Sequence, residues 1–187
     1  MKRALLIIDV QNEYFFGGLP VTYPQGHLTN ILRVMDAATA QNIPVVVVKH
    51  TFPQPDRQLF QPGTPEWELH PEVKARPHSF SIEKNLIGSF TGTPLESWLR
   101  QENIDTVAIA GYMTHMCCDT TARQAFHRGF TVEFVGDATG TLPINNSAGE
   151  VTAEELHRAI LCAQQMFMSE VISTDDWCQR IELTVDS

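Results

Sequence analysis

Three runs in this chain are aliphatic almost without interruption: ALLIID (4–9), PVVVVKH (44–50) and TVAIAGY (106–112). A strand with one face in water alternates apolar and polar residues. A strand that stays apolar on successive positions has no wet face and belongs inside a parallel sheet covered on both sides. HSFSIEK (78–84), TVEFVGD (131–137) and the shorter SEVIST (169–174) are further strand candidates. The segments between them carry helical spacing. Leu28, Ile31, Leu32, Met35 and Ala38 form one stripe within 28–42, and Thr-Pro opens a helix over 93–103. A third helix runs from Thr114 to Arg128 and stops at Gly129, and Thr-x-x-Glu at 152–155 opens a fourth that reaches 167. Regular alternation of strand and helix predicts one α/β domain over 1–187. The expected form is a three-layer α/β/α, Rossmann-like fold with a six-stranded, mostly parallel sheet in the order 3-2-1-4-5-6.

The remaining bulk properties narrow the function. A length of 187 residues suffices for a substantial core, and a net charge of −9 lacks the basic face that nucleic acid requires. No segment approaches the roughly 20 apolar residues of a membrane span, and the N-terminal run meets Asp9 too early for a signal peptide. Cysteines at 117, 118, 162 and 178 show no C-x-x-C or finger-like spacing, which suits free thiols in a cytoplasmic setting. The long irregular stretch 51–77, rich in proline and carrying Trp67 and His70, is expected to be a functional loop or a partner surface.

In sheets of this kind the reactive groups gather at the carboxyl ends of the strands. Asp9, Lys84 and the Cys117 region all fall there: an acid, a cation and a thiol. Helical geometry separates the vicinal cysteines. With Thr114 as N-cap, Cys118, Ala122, Ala125 and Gly129 form a narrow stripe of small residues facing the sheet. Cys117 lies about 100° around the helix, in a row with Thr121, Gln124 and Arg128, and is expected off the core face. Its first-turn position favours a thiolate through unpaired N–H groups and the helix dipole. Cys117 is therefore the candidate nucleophile and Cys118 a packing residue. Adjacent helical residues diverge too far for a good disulfide.

Taken in order, LLIIDVQNEYF, VVVVKHTF, SIEKNLIGSFTGTPLESWL, IAGYMTHMCCDTTARQA and VGDA resemble the isochorismatase-like cysteine hydrolases, which include nicotinamidases and N-carbamoylsarcosine amidases. The resemblance spans nearly the whole chain. It implies a catalytic triad of Asp9, Lys84 and Cys117, a cis peptide between Tyr112 and Met113, and an oxyanion hole made by the backbone N–H groups of Met113 and Cys117. It further implies hydrolysis of a small amide, ureide or carbamoyl compound through a thioester, with no cofactor, in a homo-oligomer of two or four chains. For that assembly the 51–77 stretch and the C-terminal segment VISTDDWCQRIELTVDS (171–187) are the expected contact surfaces. Isochorismatase-type cleavage of a vinyl ether or ester on the same scaffold is the alternative within the family. Outside enzymes, the vicinal thiols could serve a non-catalytic redox sensor.

Phe15, His50, Trp67, Phe90 and His115 are candidates for the pocket wall; the plainer alternatives are core packing for the three aromatic residues, a satisfied structural histidine for His50 and a ring turned to solvent for His115. Metal-dependent nicotinamidases carry an Asp-x-His pair after the second strand. KHTFPQP offers His50 alone at that place and His70 further on, so no metal is expected.

Overall fold

The structure, a computed structural model, describes residues 1–54 and 57–183. Its sheet is built from β1 (Arg3–Ile8), β2 (Val45–His50), β3 (Phe80–Lys84), β4 (Thr106–Tyr112), β5 (Thr131–Gly140) and β8 (Glu170–Ile172). The order is β3-β2-β1-β4-β5-β8 and every neighbouring pair is parallel. This is the expected order, with an unforeseen hairpin, β6 (Ile144–Asn146) and β7 (Gly149–Val151), inserted before the last strand.

All six residues of β1 and all seven of β4 are buried, which is why their sequences carry no alternation. Leu5 and Ile7 face a cluster with Ile31, Met35 and Ala38 of α1 (His27–Ala40) and with Trp177 and Ile181 of α6 (Thr174–Leu183). Ala4, Leu6 and Ile8 face the opposite cluster. There they meet Leu95 and Leu99 of α3 (Leu95–Gln101) and Ala122 and Ala125 of α4 (Asp119–His127). Burial of each Leu, Ile or Met side chain among them contributes about 1.5–3 kcal/mol. The stripe of small residues brings α4 close, and Cys118, wholly buried, belongs to it. Helix α5 (Ala153–Phe167) starts at the capping box read from the sequence: Thr152 Oγ1 accepts from Glu155 N–H, and the Glu155 carboxylate accepts from Thr152 N–H at 3.1 Å.

Between β2 and β3 the chain is less irregular than expected. It forms one helical turn, α2 (Pro71–Lys74), capped by His70, and buries Phe60 and Val73. Residues 55–56 of the expected partner surface, and residues 184–187 of the C-terminal one, lie outside the described residues. Among the described residues no helix is long and apolar enough to cross a membrane.

Candidate active site

The chain runs from β1 to β2 and β3 on one side, then returns to β4 on the other. The carboxyl ends of β1 and β4 are therefore the switch point of the sheet, the place where folds of this kind bind their ligands. Asp9 is the first residue past β1 and turns the chain with φ of 51°. Asp tolerates that left-handed conformation better than most residues, at a cost of about 1–3 kcal/mol. Across from it Gly111 has φ of 118°, and a Cβ there would stand 2.1 Å from the Ile8 carbonyl oxygen. The close approach of β1 and β4 thus requires glycine at that point.

After the cis peptide between Tyr112 and Met113 the chain enters a π turn, Thr114–Cys118, which leads into α4. Met113, not Thr114, is the N-cap, one residue earlier than expected. The Met113 carbonyl accepts from the N–H groups of Met116 (3.0 Å) and Cys118 (3.2 Å), so the i→i+5 spacing passes over the Cys117 N–H.

Lys84, the last residue of β3, joins these segments. Its Nζ lies 2.8 Å from Asp9 Oδ2, 3.3 Å from Cys117 Sγ, 3.0 Å from His50 Nδ1 and 3.2 Å from the Leu86 carbonyl oxygen. The acid, cation and thiol are thus neighbours although 108 residues separate the first from the last. Asp9 is wholly buried and Lys84 nearly so, and beyond the ion pair neither Asp9 oxygen receives a well-directed hydrogen bond. Burial pushes the Asp9 carboxyl above its usual range, against the opposing pull of Lys84. Burial works against the Lys84 charge as well, but Asp9 and Cys117 outweigh it and hold the ammonium above its ordinary pKa.

Two expectations for Cys117 are corrected. The residue is only 4% exposed rather than off the core face. The segment after β3 covers its helical row: Ser89 N–H and Oγ bond Thr121 Oγ1 (3.1 and 2.9 Å), and Phe90 N–H bonds Gln124 Oε1 (3.2 Å). Nor does the helix start favour a resting thiolate. Burial first, and the nearby Asp9 second, push the Cys117 thiol up by more than Lys84 lowers it.

The pocket candidates separate. His50 is buried against Lys84, with its ring edge-on to Phe52 and Phe60. Phe15, half-buried, packs its ring against His70 (4.5 Å between centroids) and Tyr112 (5.8 Å). Trp67 donates to Thr51 Oγ1 and lies under the Lys49 ammonium. His115 turns to Thr141 Oγ1 at 2.7 Å. Phe90 packs on Phe130 and Arg128, so it belongs to the core between α4 and the sheet. Among the described residues no group of three His, Cys, Asp or Glu could hold a metal ion.

Sequence reasoning missed Gln11 and Tyr14, and it singled out the backbone of Tyr112 but not its side chain. Buried Gln11 accepts from His50 N–H (2.8 Å) and donates to the carbonyls of His50 (3.0 Å) and Trp67 (2.7 Å), clamping the ends of β1 and β2 to the long loop. Tyr14 is buried, facing Asp9 and Cys117 electrostatically, and its ring packs on that of Tyr112. Tyr112 is wholly buried, and its hydroxyl meets His27 Nδ1 at 2.5 Å. A polar residue within an aromatic run such as QNEYFF was the only signal for the first two.

A doubly wound sheet with a buried carboxylate, ammonium and thiol converging at its switch point defines a class of α/β protein equipped for nucleophilic chemistry. The isochorismatase domain family matches residues 3–176, and the chain belongs to that family of hydrolases. The crystal structure of an assigned isochorismatase from Burkholderia xenovorans superposes with a TM-score of 0.93 at 47% identity, covering 96% of this chain and 87% of that one. The isochorismatase family protein YddQ of Bacillus subtilis is 31% identical over 94% of this chain and 98% of its own length. Nicotinamidase 3 of Arabidopsis thaliana is 32% identical over 84% and 78% of the two chains.

Proposed function

We propose that the protein hydrolyses a small amide, ureide or carbamoyl compound by covalent catalysis, with Cys117 as nucleophile, Asp9 as general base and acid, and Lys84 as the cation serving both. The observation that carries this reading is the single ammonium within 3.3 Å of both the Asp9 carboxylate and the Cys117 sulfur. A nicotinamidase among the relatives supports an amide substrate.

Because the thiol rests neutral, its proton moves to Asp9 as sulfur attacks the substrate carbonyl carbon. Burial raises the Asp9 pKa and so makes the carboxylate a stronger base for that transfer. The backbone N–H of Cys117, passed over by the π turn, and that of Met113 receive the developing oxyanion. Collapse of the tetrahedral adduct breaks the C–N bond. The leaving nitrogen takes the proton from Asp9, and a thioester remains on Cys117. Water then gives a proton to Asp9 and attacks the thioester. As the C–S bond breaks, sulfur recovers that proton and the carboxylic acid departs. Lys84 stays an ammonium throughout. The reading includes a small-molecule substrate, a cytoplasmic setting for the free thiols and a homo-oligomer. A redox sensor fits less well, since the thiolate is the form that oxidises and burial raises both vicinal thiols.

Ammonia release from a panel of small primary amides and ureides tests the proposal. Cys117→Ala is expected to lose all turnover and Cys118→Val to keep most of it. Turnover in the Cys117→Ala protein, or its loss in Cys118→Val alone, overturns the assignment.

A further inference from the structure

We propose that His50 is a positioning residue: its Nδ1 anchors the Lys84 ammonium so that one cation stays within reach of both Asp9 and Cys117. The inference rests on the function proposed above.

His50 and Lys84 are register partners at the ends of β2 and β3, and Lys84 Nζ lies 3.0 Å from His50 Nδ1. An ammonium carries three hydrogens and accepts nothing, yet four acceptors surround this one. Two of them, the Asp9 carboxylate and the Cys117 sulfur, exchange a proton during the proposed reaction, so the negative charge moves from one to the other. A cation held by those two groups alone would follow the charge. His50 and the Leu86 carbonyl keep the same charge throughout and oppose that drift.

The ring is well placed for the task. Gln11 clamps the backbone of His50 on both its N–H and its carbonyl. Phe52 and Phe60 meet the ring edge-on, at centroid distances of 4.4 and 5.1 Å and interplanar angles of 88° and 85°. Since Lys84 can only donate, Nδ1 must be the bare nitrogen and Nε2 must carry the hydrogen. Burial, and then the Lys84 charge, hold the His50 pKa down at about 3, so the accepting form persists at neutral pH. The titratable groups facing Lys84 are Asp9 from the end of β1, His50 from β2 and Cys117 from the π turn. Lys84 in turn is the charged group that acts on His50. A metal ion on Nδ1 would have to displace the ammonium from it.

Alkylation of Cys117 by iodoacetamide, followed across pH by tandem mass spectrometry on the intact folded chain, reads the anchor without any substrate. Exposed Cys162 is the internal reference. His50→Leu removes the acceptor and is expected to slow Cys117 alkylation about tenfold at a fixed mildly alkaline pH, one charged hydrogen bond's worth. His50→Asn, whose amide oxygen can stand where Nδ1 stood, is expected to restore the rate to within about threefold. An unchanged rate in His50→Leu overturns the proposal, and so does an equal loss in both variants, which would mark a purely structural role. The 15N spectrum of the unmodified protein gives a second reading, independent of whether the variants fold: hydrogen on Nδ1 rather than Nε2 overturns it. Failure to release ammonia from any amide bears on the proposed function and leaves these readings intact.

Discussion

Asp9 and Lys84 place two opposite charges where neither side chain retains exposed surface, 2.8 Å apart. Such a pair contributes little net stability, because desolvation of both ions offsets most of their attraction, but removing one partner leaves the other charge buried and uncompensated. Lys84→Met is therefore expected to destabilise the protein by about 3–5 kcal/mol, measured by urea unfolding at neutral pH. A change under 1 kcal/mol would mean that Asp9 finds water or another partner. The acid, the cation and the thiol were legible as a group because each stands at or just beyond the carboxyl end of a strand. The burial of Cys117 was not: its thiol is raised by desolvation, and the segment after β3, whose Ser89 and Phe90 bond the helical row of Cys117, carries no periodic signature in the sequence.

At the scale of elements, legibility followed the range of the forces involved. The capping box at Thr152 and Glu155 is a local bond pattern and was readable, as was the stripe of Cys118, Ala122 and Ala125. The π turn at Thr114–Cys118 depends on how β4 arrives beside β1, so the sequence predicted an ordinary helix start one residue late. The short hairpin β6–β7 has too few apolar residues to declare a period. Gly111 shows the tertiary demand most sharply: Gly111→Ala, with its Cβ against the Ile8 backbone and φ of 118°, is expected to cost more than about 3 kcal/mol or to prevent folding. Soluble yield and thermal unfolding measure it, and wild-type stability would refute the stated approach of the two strands. A second link fastens the π turn to α5, where His157 Nδ1 meets Thr114 Oγ1 at 2.9 Å. Burial holds the His157 pKa down at about 4. The unfolded chain then binds more protons than the folded one between pH 6.5 and about 4, so this contribution is complete above 6.5 and fades as pH falls. His157→Asn keeps a group able to bond Thr114 but cannot titrate, and is expected to flatten the loss of stability between pH 7 and pH 5. Parallel curves for the two proteins would show that His157 does not carry it.

The whole molecule divides along its strands, with chemistry at their carboxyl ends and an ionic tie near the amino end. Continuous aliphatic runs made the parallel sheet legible, and alternation with helices made its order legible, since a chain that crosses right-handedly has few other ways to cover both faces. The role of α6 was not legible, because its amphipathic pattern lies within a segment that reads equally well as a contact surface. Its Trp177 is wholly buried and donates to Glu133 Oε2 at 2.8 Å; Glu133 also receives Arg3 Nε at 3.0 Å and Arg180 at 3.2 Å. The C-terminal helix is thereby fastened to β1 and β5 through one buried carboxylate. Six strand residues at about 3.3 Å each put roughly 20 Å between Arg3 and the far end of β1, where Asp9 begins the site. Glu133→Ala leaves Arg3, with a side chain only 6% exposed, as an unpaired interior cation, and is expected to destabilise the fold by about 3–5 kcal/mol. The site lies at the other end of the strands and shares none of these bonds. Iodoacetamide should therefore alkylate Cys117 in the folded fraction of the Glu133→Ala protein with the wild-type pH profile, measured well below its unfolding midpoint. A shifted profile there would mean that the amino-end tie and the carboxyl-end chemistry are coupled through the sheet, and the two ends could no longer be treated as separate.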